Sequence, residues 1–152
     1  MIIISAMSRD RVIGSGEGMP WSVPEEYRQF LGFVKGQSVI MGRRSYEIFG
    51  PDLDDSLNFV ISRSNIQIDG ATVCGSVGEA LQQAEVSGRI VYSAGGGSIY
   101  TQTIPLADSM YISYIKGEFS GDTYFPEIDE KEWGVAESKD HHDFEFVVYQ
   151  RR

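Results

Sequence analysis

The sequence predicts a single α/β domain: a mostly parallel, twisted sheet of eight strands, with an antiparallel edge at its C-terminal end and four helices on its faces. Three observations carry that expectation. Short apolar runs alternate with helical patterns through the early part of the chain. The runs are almost continuously apolar, as strands covered on both faces must be. The chain closes on two strands in succession, as antiparallel neighbours do. With 152 residues, 41% of them hydrophobic, one core over residues 1–152 can form and little is left for a second domain.

The elements follow in order. Residues 2–7, Ile-Ile-Ile-Ser-Ala-Met, read as a buried strand; the run is too short for a signal peptide and lacks its basic start. A helix over 24–34 opens with Ser22-Val23-Pro24-Glu25, the pattern of a capping box with Ser22 at the N-cap and Glu25 reaching back. Tyr27, Phe30, Leu31, Phe33 and Val34 supply its apolar stripe. Strands are expected at 38–41, 57–62, 71–74, 89–93, 109–115, 133–136 and 144–149, each bounded by Gly, Asp or Ser, and helices at 44–48, 77–84 and 98–104. No apolar stretch approaches a membrane span.

Glu26 stands out on this framework. Phe30 and Phe33 lie four and seven residues on, so its carboxylate faces aromatic groups rather than water. Burial raises the cost of ionising an acid, so such a group is either paired or used for proton chemistry. The competing reading is plainer: two acids in a first helical turn complement the helix dipole.

Three loops at the carboxyl ends of strands, where such sheets bind ligands, look chemical. Gly14-Ser15-Gly16-Glu17-Gly18-Met19-Pro20-Trp21 is long and Gly-rich, with the make-up of a lid, although a plain surface loop is the alternative. Gly42-Arg43-Arg44-Ser45 opens a helix with two cations suited to phosphate, and Arg63 follows a neighbouring strand. Surface arginines are as often merely solvated. Gly95-Gly96-Gly97-Ser98 lets backbone approach a ligand closely, as an ordinary tight turn would also require.

A net charge of −9 with no run of Lys or Arg argues against nucleic-acid and anionic-membrane partners and leaves small molecules. Cys74 is the only cysteine, so neither an intrachain disulfide nor a cysteine metal cluster can form, and a cytoplasmic home is the simplest. His141-His142-Asp143 falls in a turn and reads as solvated rather than as a metal site, so no metal is expected.

Taken in order, Asp10-Arg11-Val12-Ile13-Gly14, Met19-Pro20-Trp21 with Glu26 and Phe30, Val39-Ile40-Met41-Gly42-Arg43, Gly95-Gly96-Gly97 with Tyr100, and Gly121-Asp122-Thr123-Tyr124-Phe125-Pro126 make the whole chain resemble the dihydrofolate reductases. The resemblance implies NADPH-dependent reduction of 7,8-dihydrofolate to tetrahydrofolate. Glu26 would anchor the pterin and promote its protonation. Ser113 would support the acid, Trp21 would close the pocket and position water, and Tyr100 would lie near the nicotinamide. Ala6, Tyr27, Phe30, Phe49 and Leu53 would meet the substrate, with Arg28 near the mouth, and Ile13 and Met19 would cover the nicotinamide. Arg43, Arg44 and Arg63 match contacts to the phosphorylated ribose, and Gly95, Gly96 and Gly97 meet the pyrophosphate, with a cis peptide between the first two. Gly42, Ser45, Ser62, Ser98 and Ile99 complete the cofactor side, and Asp122 would tie its loop to the lid. A cytoplasmic monomer open to antifolate inhibitors is the further implication.

The chain departs from that family at Ser56, where an arginine usually clamps the substrate's glutamate tail, and the neighbouring Asp52, Asp54 and Asp55 would repel the tail. Ser98 replaces an arginine that some bacterial members carry. A same-fold reductase of the riboflavin pathway and a non-catalytic nucleotide-binding protein are the alternatives. The first has no need of Pro20-Trp21 followed by a buried acid, and the second has no need of Glu26.

Overall fold

A computed structural model describes residues 1–16 and 18–152; Glu17, within the Gly-rich loop, lies outside the described residues. Along the chain run β1 (Ile2–Met7), β2 (Val12–Gly14), α1 (Pro24–Val34), β3 (Ser38–Gly42), α2 (Arg43–Phe49), a 3-10 turn (Gly50–Asp52), β4 (Leu57–Ile61) and β5 (Ala71–Cys74). There follow α3 (Val77–Val86), β6 (Val91–Ser93), α4 (Gly97–Thr103), a second 3-10 turn (Ile104–Leu106), β7 (Ser109–Ile115), β8 (Thr123–Tyr124), β9 (Trp133–Asp140) and β10 (Phe144–Arg151).

The main sheet has eight strands in the order β5-β4-β3-β6-β1-β7-β10-β9. Pairing is parallel from β5 to β7 and antiparallel from β7 through β10 to β9, the expected architecture. Alternation along the strands splits the core. On β3, Val39 and Met41 pack with Val34 and Leu53, while Ile40 packs on the opposite side with Ala80 and Ala84 of α3. Apolar residues on both faces are what made these strands readable as continuous runs.

Three differences from the expected elements have local causes. β2 and β8 pair with each other in a separate two-stranded sheet, 3 and 2 residues long, too short to leave a pattern in the sequence. β9 runs to Asp140 rather than ending at 136, because it is the edge strand and its second half, Glu137 to Asp140, is exposed on both faces. β6 begins at Val91 rather than at 89: the Ile90 amide turns aside to donate to Gln37 Oε1 at 3.0 Å.

A fourth difference concerns α1. The capping box at Ser22 and Glu25 does not form: Val23 occupies the N-cap and no side chain caps it. The equivalent pattern does form on α3, where Ser76 Oγ accepts from the Glu79 amide at 3.1 Å and Glu79 Oε2 accepts from the Gly75 amide at 2.8 Å. At α1 the Glu25 carboxylate instead meets His141 Nδ1 at 3.1 Å. His141 is therefore not the solvated turn residue expected; its ring is stacked on Phe144, 4.2 Å between centroids.

Candidate active site

β1 lies in the sheet between β6 and β7, so the chain leaves β1 and skips a place before laying down β3. A cleft opens where the carboxyl ends of β3, β6 and β1 converge, as topological switch points do. Its volume is about 370 Å³, in the range of small-molecule and cofactor sites. Ile4, Ser5 and Ala6 form its floor, Gly42 to Ser45 and Gly96 to Tyr100 one end, and α1 the other.

At the α1 end, Glu26 is 8% exposed and faces the cleft. Burial pushes its pKa up to about 7, with the Ser113 hydroxyl alongside favouring the charged form. The acid is therefore poised between protonated and ionised near neutral pH. Ser113 is buried on β7, in register with Ala6 of β1 and Phe146 of β10, and its Oγ accepts from Gln29 Nε2 at 3.4 Å. Tyr27, Phe30 and Phe49 form an aromatic wall, with ring centroids 5.4 to 6.2 Å apart. Tyr27 Oη donates to Asp52 Oδ2 at the rim. Trp21 packs edge-on against Phe119, and its Nε1 is buried without an acceptor.

The other end is open and polar. Gly42, Ser45, Gly96, Gly97, Ser98 and Ile99 line it. The Gly42 amide donates to Gly95 O at 2.8 Å, which draws the two loops together, and the Gly95–Gly96 peptide is cis. Gly95 has φ +85°, and a Cβ there would lie 2.6 Å from the Tyr100 ring. That ring is fixed from its far end, where Tyr100 Oη donates to Ile4 O at 2.6 Å. Arg43 and Arg44 border the cleft; the Arg43 side chain pairs with Glu47 at 3.2 Å and is half exposed. Helices α2 and α4 have only seven residues each, so the positive potential here comes from arginines more than from helix dipoles.

The Gly-rich loop is held from across the fold. Gly16 N donates to Asp122 Oδ2 at 3.1 Å, and Asp122 N donates to Gly14 O at 3.0 Å. These bonds, with the β2–β8 pairing, join the loop to the segment before Phe125. Ile13, Gly14, Gly18 and Met19 line the cleft from this side.

Most sequence-selected residues thus meet at one cleft, but not all. Leu53, expected on the wall, is 1% exposed and packs behind it with Val34, Val60 and Tyr92. Ser113 stands beside Glu26 but not in the lining, Trp21 packs on Phe119 and the Phe144 cluster, and Arg28, Ser62, Arg63 and Gly95 are outside the lining as well. Arg28 and Arg63 are exposed. Sequence reading passed over Ile4, Ser5, Ile48, Ala94 and Thr123 as site residues. Ile4 was detectable, two residues before Ala6 on the same strand face, and so was Ile48, one helical turn after Arg44. Thr123 was not, because β8 is placed only by its distant partner β2. Among the described residues no group of three or more His, Cys, Asp or Glu side chains converges on a metal position, and no helix is long and apolar enough to cross a membrane.

Comparison with known proteins gives a consistent result. The family model described as dihydrofolate reductase matches residues 1–151. The dihydrofolate reductase of Bacillus subtilis is 33% identical over 98% of this chain and 93% of its own length, and that of Haemophilus influenzae 31% over 99% and 98%. The solved structure of Enterococcus faecalis dihydrofolate reductase, complexed with NADP(H) and RAB-propyl, superposes with a TM-score of 0.90 at 27% identity, covering 99% of this chain and 95% of that one.

Proposed function

The chain belongs to the dihydrofolate reductase family, and from that premise we propose that Glu26 supplies the proton when 7,8-dihydrofolate is reduced with NADPH. One observation carries the assignment: among the described residues Glu26 is the one carboxyl lining the cleft, and burial has brought its pKa up to about 7. A carboxyl with that value is protonated often enough at neutral pH to donate, and ionised often enough to accept charge-assisted hydrogen bonds from an amidine-like ring edge.

The residues at the polar end fit the cofactor. Gly96 and Gly97 are half-buried and line the cleft, and a Cβ at Gly96 would project toward Ser45 Oγ, 3.7 Å away, filling the cradle a pyrophosphate needs. Arg43 and Arg44 border this end, which supports a contact to the ribose phosphate, while Arg63 lies outside the cleft lining. Bound there, NADPH supplies a hydride to the pterin. The chain's own part is to orient and to dry the site: Ile13 and Met19 cover it from the loop side, and Tyr27, Phe30 and Phe49 hold the substrate's flat body. Trp21, packed on Phe119 with its N–H buried and unpartnered, is the residue assigned to close the pocket and position water. Ser113 keeps the carboxyl from rising further.

The same reading makes the protein a single-domain, cytoplasmic monomer that binds antifolates at the Glu26 end. The lone cysteine, Cys74, is buried and fits a reducing compartment. The glutamate tail of the substrate is held weakly, because Ser56 Oγ is already committed to Val34 O at 2.8 Å and Asp52 is turned toward Tyr27 at the rim.

The test is direct. Purified protein should oxidise NADPH only when dihydrofolate is added. Glu26→Gln should retain NADPH binding and lose turnover near neutral pH, recovering part of it in acid, where solvent protonates the substrate. Full activity in Glu26→Gln at neutral pH would remove the acid from the mechanism.

A further inference from the structure

On the assignment of Glu26 just made, we propose that His141 is a positioning residue for the reduction: from the β9–β10 turn it holds Glu25, and through Glu25 the first helical turn of α1 that carries Glu26. The start of α1 needs such a hold. No side chain caps it, and Ser22, which could have done so, is exposed. Glu25, free of a capping role, reaches out of the helix to His141 Nδ1 at 3.1 Å, linking positions 116 residues apart.

The turn bearing His141 is built to stay in place. The imidazole lies nearly parallel to the ring of Phe144, at 4.2 Å and 8°, and Phe144 is fully buried. Its cluster includes Ile115, Phe146 and Val148, and Trp21 and Val23 pack against the same group. Lys116 Nζ donates to His141 O at 2.6 Å and pairs with Asp140 Oδ1 at 2.7 Å, while the His141 amide donates to Phe144 O at 2.8 Å. A side chain fixed on a buried ring thus grips the residue next to the acid. The same cluster supports Glu26 from below, since Phe146 lies in register with Ser113. A shift of the α1 start would change the angle at which Glu26 meets the pterin, and small misplacements of a proton donor are costly.

Charge surrounds this contact. Glu25 faces His141 from α1, Lys116 from the end of β7 and Asp140 from β9; Asp143 and His142 pair with each other in the turn, and Arg9, after β1, acts on Asp140.

The experiment uses the full chain and measures kcat and KM for dihydrofolate and NADPH across pH. His141→Phe keeps a ring on Phe144 but loses the hydrogen bond, and should lower kcat about three- to tenfold, with KM for NADPH unchanged. His141→Gln keeps a donor and should restore most of the loss. Glu25→Ala, at a half-exposed side chain, should reproduce the His141→Phe effect, and the double variant should fall no further. His142→Gln, at a side chain 93% exposed, should be silent. If His141→Phe does not fold, Glu25→Ala carries the test. A folded His141→Phe or Glu25→Ala with unchanged kcat would overturn the proposal, as would a His141→Gln as slow as His141→Phe. Glu26→Gln assayed alongside separates the two assignments: if it is fully active the acid itself is misassigned, whereas if it is slow and His141→Phe is normal only the positioning role fails.

Discussion

The two ends of the cleft do their work by opposite means. At the α1 end one carboxyl is surrounded by aromatic groups, and its usefulness comes from being kept dry. At the β3–β6 end the surface is open and lined by arginines, serines and glycines, among which the proposed cofactor contacts would be shared. Electrostatic effects are large where water is excluded and small where it is not. On the proposed reading, chemistry at the first end would depend on a single atom group, whereas recognition at the second would be spread over many small terms.

That contrast sets the order of expected effects. Glu26→Gln should cost on the order of 10²- to 10⁴-fold in turnover at neutral pH, the usual range for losing a general acid. Arg44→Ala, at the open end, should raise KM for NADPH by roughly tenfold and narrow its preference over NADH, with kcat nearly intact; the charge-assisted bonds it removes are worth about 1.5–3 kcal/mol before solvent screening. A fall in kcat in Arg44→Ala as large as that in Glu26→Gln would break the comparison. Ser56→Arg sharpens it at the rim: by introducing a cation it should favour dihydrofolate over dihydropteroate by up to about tenfold, where the original protein scarcely distinguishes them.

A fourth test follows from linkage. The folded state holds the Glu26 proton more tightly than the unfolded chain does, so this contribution to stability is fully present below the ordinary value of 4.5 and lost as pH rises through about 7. The shift to about 7 corresponds to about 3 kcal/mol. Glu26→Gln should therefore unfold at higher temperature than the original protein above neutral pH and match it in acid, as thermal melts at several pH values would show. The smallest effect belongs to Ser113→Ala. Losing a hydroxyl that favours the charged form should move the alkaline limb of kcat/KM to higher pH, and a move to lower pH would contradict the assigned role.

The dry end was also the more legible of the two in the sequence. Phe30 and Phe33 at helical spacing from Glu26 pointed the acid toward the inner face, against a dipole reading the sequence left open, and the burial of Glu26 in α1 follows that periodicity. The glycines and arginines of the open end were legible only as loops after strands. Which of them turn inward is decided by neighbours distant in sequence, and so Arg43 and Arg44 border the cleft while Arg63 does not. The same limit explains the other differences. Ser22-to-Glu25 and Ser76-to-Glu79 carry the same pattern, yet only the second caps its helix, since Glu25 has a competing partner in His141 that no local reading reveals. Leu53 sinks into the core because Val34, Val60 and Tyr92 converge on it from three other elements. The β2 and β8 strands exist only as a pair.

One glycine of that pairing region has a consequence for how the protein tolerates change. A methyl group at Gly121 would sit 2.2 Å from the carbonyl oxygen of Gly14 and 2.5 Å from Val12 Cγ1, and since the first of these is backbone, nothing there can step aside. Residue 121 neither lines the cleft nor titrates, yet any replacement prises the loop that carries Ile13 away from its support. In a saturation library, then, this unobtrusive position should be as empty of survivors as the site of the acid itself, whereas Gly18, with open space around it, should accept many side chains. The freedom to diversify this loop is set by the width of one hydrogen atom on the segment opposite.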